Sequence, residues 1–117
     1  MLKDSPYFLD PMCGSGTFCI EAAMIATNTA PGLQRPEWGF DYWKQHDTRK
    51  WGALVAFANE ESLKGKAEFK GRVLGLDCDS RVIAVAWENA ERSGMREFLH
   101  REKRDVAELE LPVPAMR

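Results

Sequence analysis

The run Asp10-Pro11-Met12-Cys13-Gly14-Ser15-Gly16-Thr17 joins a short apolar stretch, Tyr7-Phe8-Leu9, to a helix-like run from Phe18 to Ala26. These residue types in this order let a ligand come close to the backbone. Gly14 and Gly16 have no Cβ, so the chain takes positive φ there and leaves room for a bound group. The helix that follows points its first amides at the same spot. Asp10 stands at the carboxyl end of a strand, where open α/β sheets bind ligands. A second acid, Asp77, ends the run Gly75-Leu76-Asp77. A carboxylate at that point accepts hydrogen bonds from both ribose hydroxyls of an adenosine group. The plainer reading is that Asp77 caps the next helix, but Asp79 or Ser80 is better placed for that.

The elements that must position these groups follow from local pattern. Tyr7–Leu9 reads as a short strand and Thr17–Thr27 as a helix that is apolar on more than one face, as befits packing on a sheet. Residues Asn28–Asp47 hold Pro31, Gly32, Pro36 and Gly39 among Trp38, Phe40, Tyr42 and Trp43, which breaks any long regular element. Thr48–Lys64 reads as a second helix, capped by Asp47 or Thr48, with Trp51, Leu54, Val55 and Ala58 at helical spacing. Arg72–Leu76 reads as a second strand. Ser80–Ser93 reads as a third helix, with Val82, Val85, Ala86 and Asn89 on one side and Gly94 as its stop. Glu97–Lys103 is a third strand with Phe98 and Leu99 as its apolar residues, and Leu109–Arg117 is a connecting loop. Strand, helix, insertion with helix, strand, helix, strand predicts an α/β fold with a parallel sheet and right-handed crossovers.

Bulk properties set the frame. A chain of 117 residues, 44% hydrophobic, is one domain at most. With 16 basic and 18 acidic residues there is no global electrostatic footprint for nucleic acid. Cys13, Cys19 and Cys78 make no metal-ligand pattern, and no metal is expected. An odd cysteine count without a secretory leader fits a reducing cytoplasm. No apolar run is long enough to span a membrane.

The loop Asp10–Thr17 resembles the cofactor loop of class I S-adenosylmethionine-dependent methyltransferases. The longer run Asp10–Asp47, with Glu21-Ala22-Ala23, Ala30-Pro31-Gly32-Leu33 and Trp38-Gly39-Phe40, resembles the THUMP-associated large-subunit (23S) ribosomal RNA guanine-N2 methyltransferases, also described as N6-adenine-specific DNA methylases. The resemblance covers about Pro6 to Leu109. It implies a Rossmann-like class I methyltransferase fold whose full sheet has strand order 3-2-1-4-5-7-6. Residues 1–117 would be a partial domain with its first three strands and an aromatic-rich insertion at about 28–47. The implied cofactor is S-adenosylmethionine, held by Asp10, Pro11, Met12, Cys13, Gly14, Ser15, Gly16 and Thr17, by Asp77 and Cys78, and by Asp105 and Val106. Asp10 would face the amino end of the methionine part and Asp77 the ribose. Cys78 would lie along the adenine face, unless it is an ordinary buried cysteine. Asp105 would receive the adenine amino group, unless it belongs to a solvated charge run from Arg101. Glu21 would stand behind the site.

The same resemblance places target-base chemistry in an Asn/Asp-Pro-Pro-Tyr/Phe run, and no such run occurs among the 117 residues. No catalytic residue is therefore expected in this chain, and the methyltransferase activity belongs to a full-length protein acting on ribosomal RNA. The alternatives are an N6-adenine methyltransferase and a non-catalytic structural or RNA-contacting piece. A nicotinamide oxidoreductase fits poorly. Cys19 occupies the third glycine position of Gly-x-Gly-x-x-Gly, and Asp77 comes far later than the ribose acid of that motif. A P-loop nucleotidase fits still less well, because no Lys precedes the Ser/Thr of the loop. The insertion's aromatics either stack a base beside Arg35, Lys44, Arg49 and Lys50 or anchor the loop on the sheet. His46 and His100 read as structural or surface residues. With the first strand at a sheet edge, the chain is expected to dimerise or aggregate through Tyr7–Leu9.

Overall fold

A computed structural model describes residues 7–108. Its strands β1 (Tyr7–Asp10), β2 (Arg72–Asp77) and β3 (Leu99–Lys103) form one parallel sheet in the order β1-β2-β3. This is the 3-2-1 half of the expected sheet. Helices α1 (Thr17–Ala26) and α3 (Ser80–Ser93) cross between strands, and α2 (Thr48–Glu68) follows the insertion. The polar lead-in at 1–6 and the connecting loop expected at 109–117 lie outside the described residues.

Local chemistry sets most boundaries. Asp47 caps α2 by accepting from the Lys50 N–H (3.1 Å), and Asp79 caps α3 by accepting from the Arg81 N–H (2.9 Å). Gly94 ends α3 at φ +75°, the left-handed conformation that glycine adopts without strain. Two ends differ from the sequence reading by more than one residue. A tight turn at Arg96–Phe98 precedes β3, so that strand starts at Leu99. The second helix runs on through Gly65 to Glu68.

The core lies between the sheet and α1 and α3. Cys19, Ala22 and Ala23 of α1 and Ile83 and Ala90 of α3 pack with Cys13, Val73, Met95, Phe98 and Leu99. The inward stripe of α3 is thus Ile83, Ala86 and Ala90, at spacings of three and four. It is not the expected Val82, Val85, Ala86 and Asn89 side, since Val85 is exposed. Small residues on both helices let them approach the sheet closely.

Helix α2 is attached differently. Ser62 is its one fully buried residue, and Leu54, Phe57 and Leu63 are exposed. Its C-terminal half docks on the end of α1 through polar contacts. Ser62 and Thr29 hydroxyls meet at 2.7 Å, and the Asn28 amide donates to Glu61 (2.9 Å). The molecule is correspondingly long, 56 × 30 × 18 Å.

Candidate cofactor site

The parallel register builds the site. Asp10 pairs with Gly75, and Asp77 lies two residues further along β2. Asp77 in turn pairs with Lys103, and Asp105 lies two residues beyond that. By strand rise Asp77 sits about 7 Å further out than Asp10, and Asp105 follows the end of β3. The three carboxylates form a staircase along the carboxyl edge of the sheet.

Between the first two steps stands the glycine loop. The Cys13 N–H donates to the Leu76 carbonyl (2.7 Å), the Gly16 N–H to the Cys13 carbonyl (2.9 Å), and the Asn89 amide to the Ser15 carbonyl (3.0 Å). The loop is thereby tied to β2 and α3. Gly14 and Gly16 have φ of +55° and +89°. A Cβ on Gly14 would meet nothing within 4 Å, so open space lies against the backbone there. No side chain caps α1, and no acid sits in its first turn. Its leading amides remain open donors for a ligand. Met12, Ser15 and Thr17 are exposed around the loop, with Pro11 half-buried.

Asp77 joins the two halves of this site. Its Oδ2 accepts from the Gly14 N–H (3.1 Å) and its Oδ1 from the Asp79 N–H (3.0 Å). It does not cap α3, because Asp79 does. A carboxylate offers about four lone-pair sites, so one on each oxygen is still free. Two free acceptors on one half-buried carboxylate match a vicinal diol. Asp10 accepts from the Met12 N–H (3.1 Å) through Oδ1, as a turn-forming Asp does, and this leaves Oδ2 with no partner among the described residues. Cys78 is exposed, not buried. Beyond β3, the Arg104 N–H donates to the Asp77 carbonyl (2.8 Å), which fixes the exit of the strand against the second step. Asp105 accepts from the Ala107 N–H (2.9 Å), and Asp105 and Val106 are exposed. Glu21 faces elsewhere. It lines a separate cavity of about 570 Å³ with Met24, Lys66 and Arg92, away from the glycine loop.

Under the loop lies a residue that the sequence reading named only as the start of an alternative charge run. Arg101 is 3% exposed, and its three guanidinium nitrogens have no hydrogen-bond partner among the described residues. Period-two alternation from Leu99 puts it on the inward face of β3, and that signal was present in the sequence. Its guanidinium comes within 3.2 Å of where a Cβ on Gly16 would stand, and it lies over the Trp87 ring at 5.7 Å. The neighbouring thiols do not neutralise it. Burial pushes the Cys19 thiol up to about 12, with Cys13 and Asp10 adding to the rise, and burial likewise raises Cys13. Burial is also the main cause of the lowered Arg101 pKa. A cation–π contact offsets only part of the desolvation of an unpaired charge. Arg101→Met should therefore stabilise the fold by about 2 kcal/mol, read as a higher urea midpoint. An equal loss of stability would show that the guanidinium is fully paired.

Residues 2–115 match the RMKL-like methyltransferase domain. The chain belongs to this methyltransferase family. Three solved structures are similar to it. A predicted N6-adenine-specific DNA methylase from Listeria monocytogenes str. 4b F2365 is 31% identical with a TM-score of 0.81, and the alignment covers 93% of this chain and 27% of that one. SMU.472, classed as a methyltransferase and solved in complex with SAH, is 32% identical with a TM-score of 0.70, covering 93% and 28%. A possible methylase from Clostridium difficile 630 is 33% identical with a TM-score of 0.70, covering 91% and 27%. The chain thus spans a little over a quarter of the length of these relatives. The class I fold expected from the glycine loop is the fold observed, and S-adenosylmethionine is the cofactor that membership implies.

Proposed function

We propose that residues 7–108 form the S-adenosylmethionine half-site of a nucleic-acid methyltransferase that modifies the exocyclic N2 of a guanine in 23S ribosomal RNA. The observation that carries the cofactor reading is the Asp77 carboxylate. It is fixed by two backbone donors from the glycine loop and the β2–α3 turn, and one acceptor site remains on each oxygen. Asp77 holds the ribose there, and the Gly14–Gly16 backbone and the open α1 amides cradle the amino-acid part. Asp10 faces the ammonium through its free oxygen. Cys78 lies along the adenine, and Asp105 and the Val106 amide meet its polar edge. The cofactor supplies an electrophilic methyl group. The contribution of this chain would be to position and orient that group. The guanine-N2 assignment rests on the likeness of Asp10–Asp47 to that ribosomal RNA subfamily. N6 of adenine is the second reading, favoured by the description of the Listeria relative.

Thiol chemistry tests the cofactor reading. Cys78 is exposed while Cys13 and Cys19 are buried. One thiol should react with iodoacetamide in the native protein and three in denaturant. S-adenosylhomocysteine should slow the Cys78 reaction, and an unchanged rate at saturating ligand would contradict the adenine placement.

Among the described residues β1 is the sheet edge next to β2, and Phe8 and Leu9 on it are half-buried. An apolar strand at a sheet edge can recruit a second chain, and on this reading the sedimentation coefficient should rise with concentration. A concentration-independent monomer would rule the association out.

A further inference from the structure

The aromatic insertion divides into two parts that the sequence does not distinguish. Trp38 and Phe40 stack on one another with ring centroids 5.9 Å apart, and Trp51 of α2 meets both edge-on at 5.3 and 4.9 Å. His46 leans on Phe40 at 5.2 Å. These rings make a small core of their own at the start of α2, not an anchor on the sheet. Tyr42 and Trp43 belong to no such cluster. They are 87% and 66% exposed.

The charges around them divide in the same way. Two acids are engaged inside the unit. Asp41 accepts from the Trp38 N–H (2.8 Å) and faces His46 at 3.9 Å, and Asp47 caps α2. Lys44, Arg49 and Lys50 are exposed, and no ion pair ties up their charged ends among the described residues. Two adjacent outward rings, set on a rigid base and flanked by three free cations, combine a stacking surface with phosphate contacts. Single-stranded nucleic acid uses that combination, because every base has a π-face and every linkage a negative charge. A duplex offers the charge without the open faces.

We propose that Tyr42 and Trp43, with Lys44, Arg49 and Lys50, form a platform for single-stranded RNA. The platform rests on the nucleic-acid reading above and extends it by naming the strand state that this chain contacts. The test is fluorescence anisotropy of the 117-residue chain with labelled single-stranded RNA of about 12 nucleotides, a length suited to such sites. An RNA duplex of the same length is the comparison. The single strand should bind more tightly. Trp43→Ala should weaken it about tenfold and Trp43→Phe much less. Lys44→Gln with Arg49→Gln should weaken all sequences alike and flatten the salt dependence. These variants should leave S-adenosylhomocysteine binding unchanged, so loss of cofactor binding in the parent chain would count against the methyltransferase reading and not against the platform. Equal binding of duplex and single strand would overturn the proposal. So would unaltered affinity in both aromatic and charge variants, or a dimer that Trp43→Ala converts to monomer, which would make the surface a protein contact.

Discussion

Asp77→Ala should weaken S-adenosylhomocysteine binding by about 10²–10⁴-fold. Two hydrogen bonds from ribose hydroxyls to a charged acceptor disappear, each worth about 1.5–3 kcal/mol, and a factor of ten is about 1.4 kcal/mol. The same substitution also frees the Gly14 and Asp79 N–H groups that Asp77 now satisfies. The loop therefore loses one of its two ties to β2, the Cys13–Leu76 backbone bond remaining, along with its ligand contact. Asp77→Asn separates the two effects. Its amide oxygen still accepts one backbone bond, so the fold should stay near wild type in a urea titration while affinity falls about tenfold. Calorimetry of both variants decides the matter. Wild-type affinity in Asp77→Ala, with the protein folded, would mean that the ribose is held elsewhere.

Gly65→Ala should cost about 3 kcal/mol, a large effect for one methyl group. A Cβ at Gly65 would stand 1.8 Å from the Thr27 carbonyl oxygen and 2.4 Å from its carbon. Both are backbone atoms at the end of α1, which cannot swing aside as a side chain does. The Thr27 hydroxyl is itself bonded to the Ala23 carbonyl (2.8 Å), and Thr27 is fully buried. Relief must come from α2 moving away, which breaks the Ser62–Thr29 and Asn28–Glu61 contacts that dock it. Hydrogen exchange reads this directly. The α2 amides should lose protection in Gly65→Ala, together with a lower urea midpoint. Unchanged protection across α2 would show that the helix docks by other contacts.

Gly65 also shows why part of the fold was not legible in the sequence. A glycine near the end of a helical pattern reads as a stop, and Lys64 was the expected last residue. The glycine is there because two backbones touch, which is a tertiary fact with no local signature. By contrast, the Asp47 and Asp79 caps, the Gly94 stop and the short strands are local events, and residue type alone reveals them. The site divides similarly. That the glycine loop and Asp77 fall at the ends of neighbouring strands was legible, because a tight turn demands small residues and the strand pattern ends at Asp77. That Asp77 holds the Gly14 N–H was not, since the contact joins residues 63 apart in sequence. Arg101 was passed over because charge in a mixed run hid its place in the strand alternation, and the α3 face was misjudged because Val85 points outward while Ala86 and Ala90 face the sheet. The insertion carried two opposed readings, and only the ring contacts separate Trp38 and Phe40 from Tyr42 and Trp43.

The central claim is that this chain carries a cofactor half-site complete enough to recognise S-adenosylhomocysteine. Calorimetric titration of the unaltered 117-residue protein with that ligand, beside NAD, tests it most directly. Saturable one-to-one binding of S-adenosylhomocysteine with no heat from NAD is the predicted result. Binding of NAD instead, or no S-adenosylhomocysteine binding while circular dichroism shows the helices intact, would contradict it.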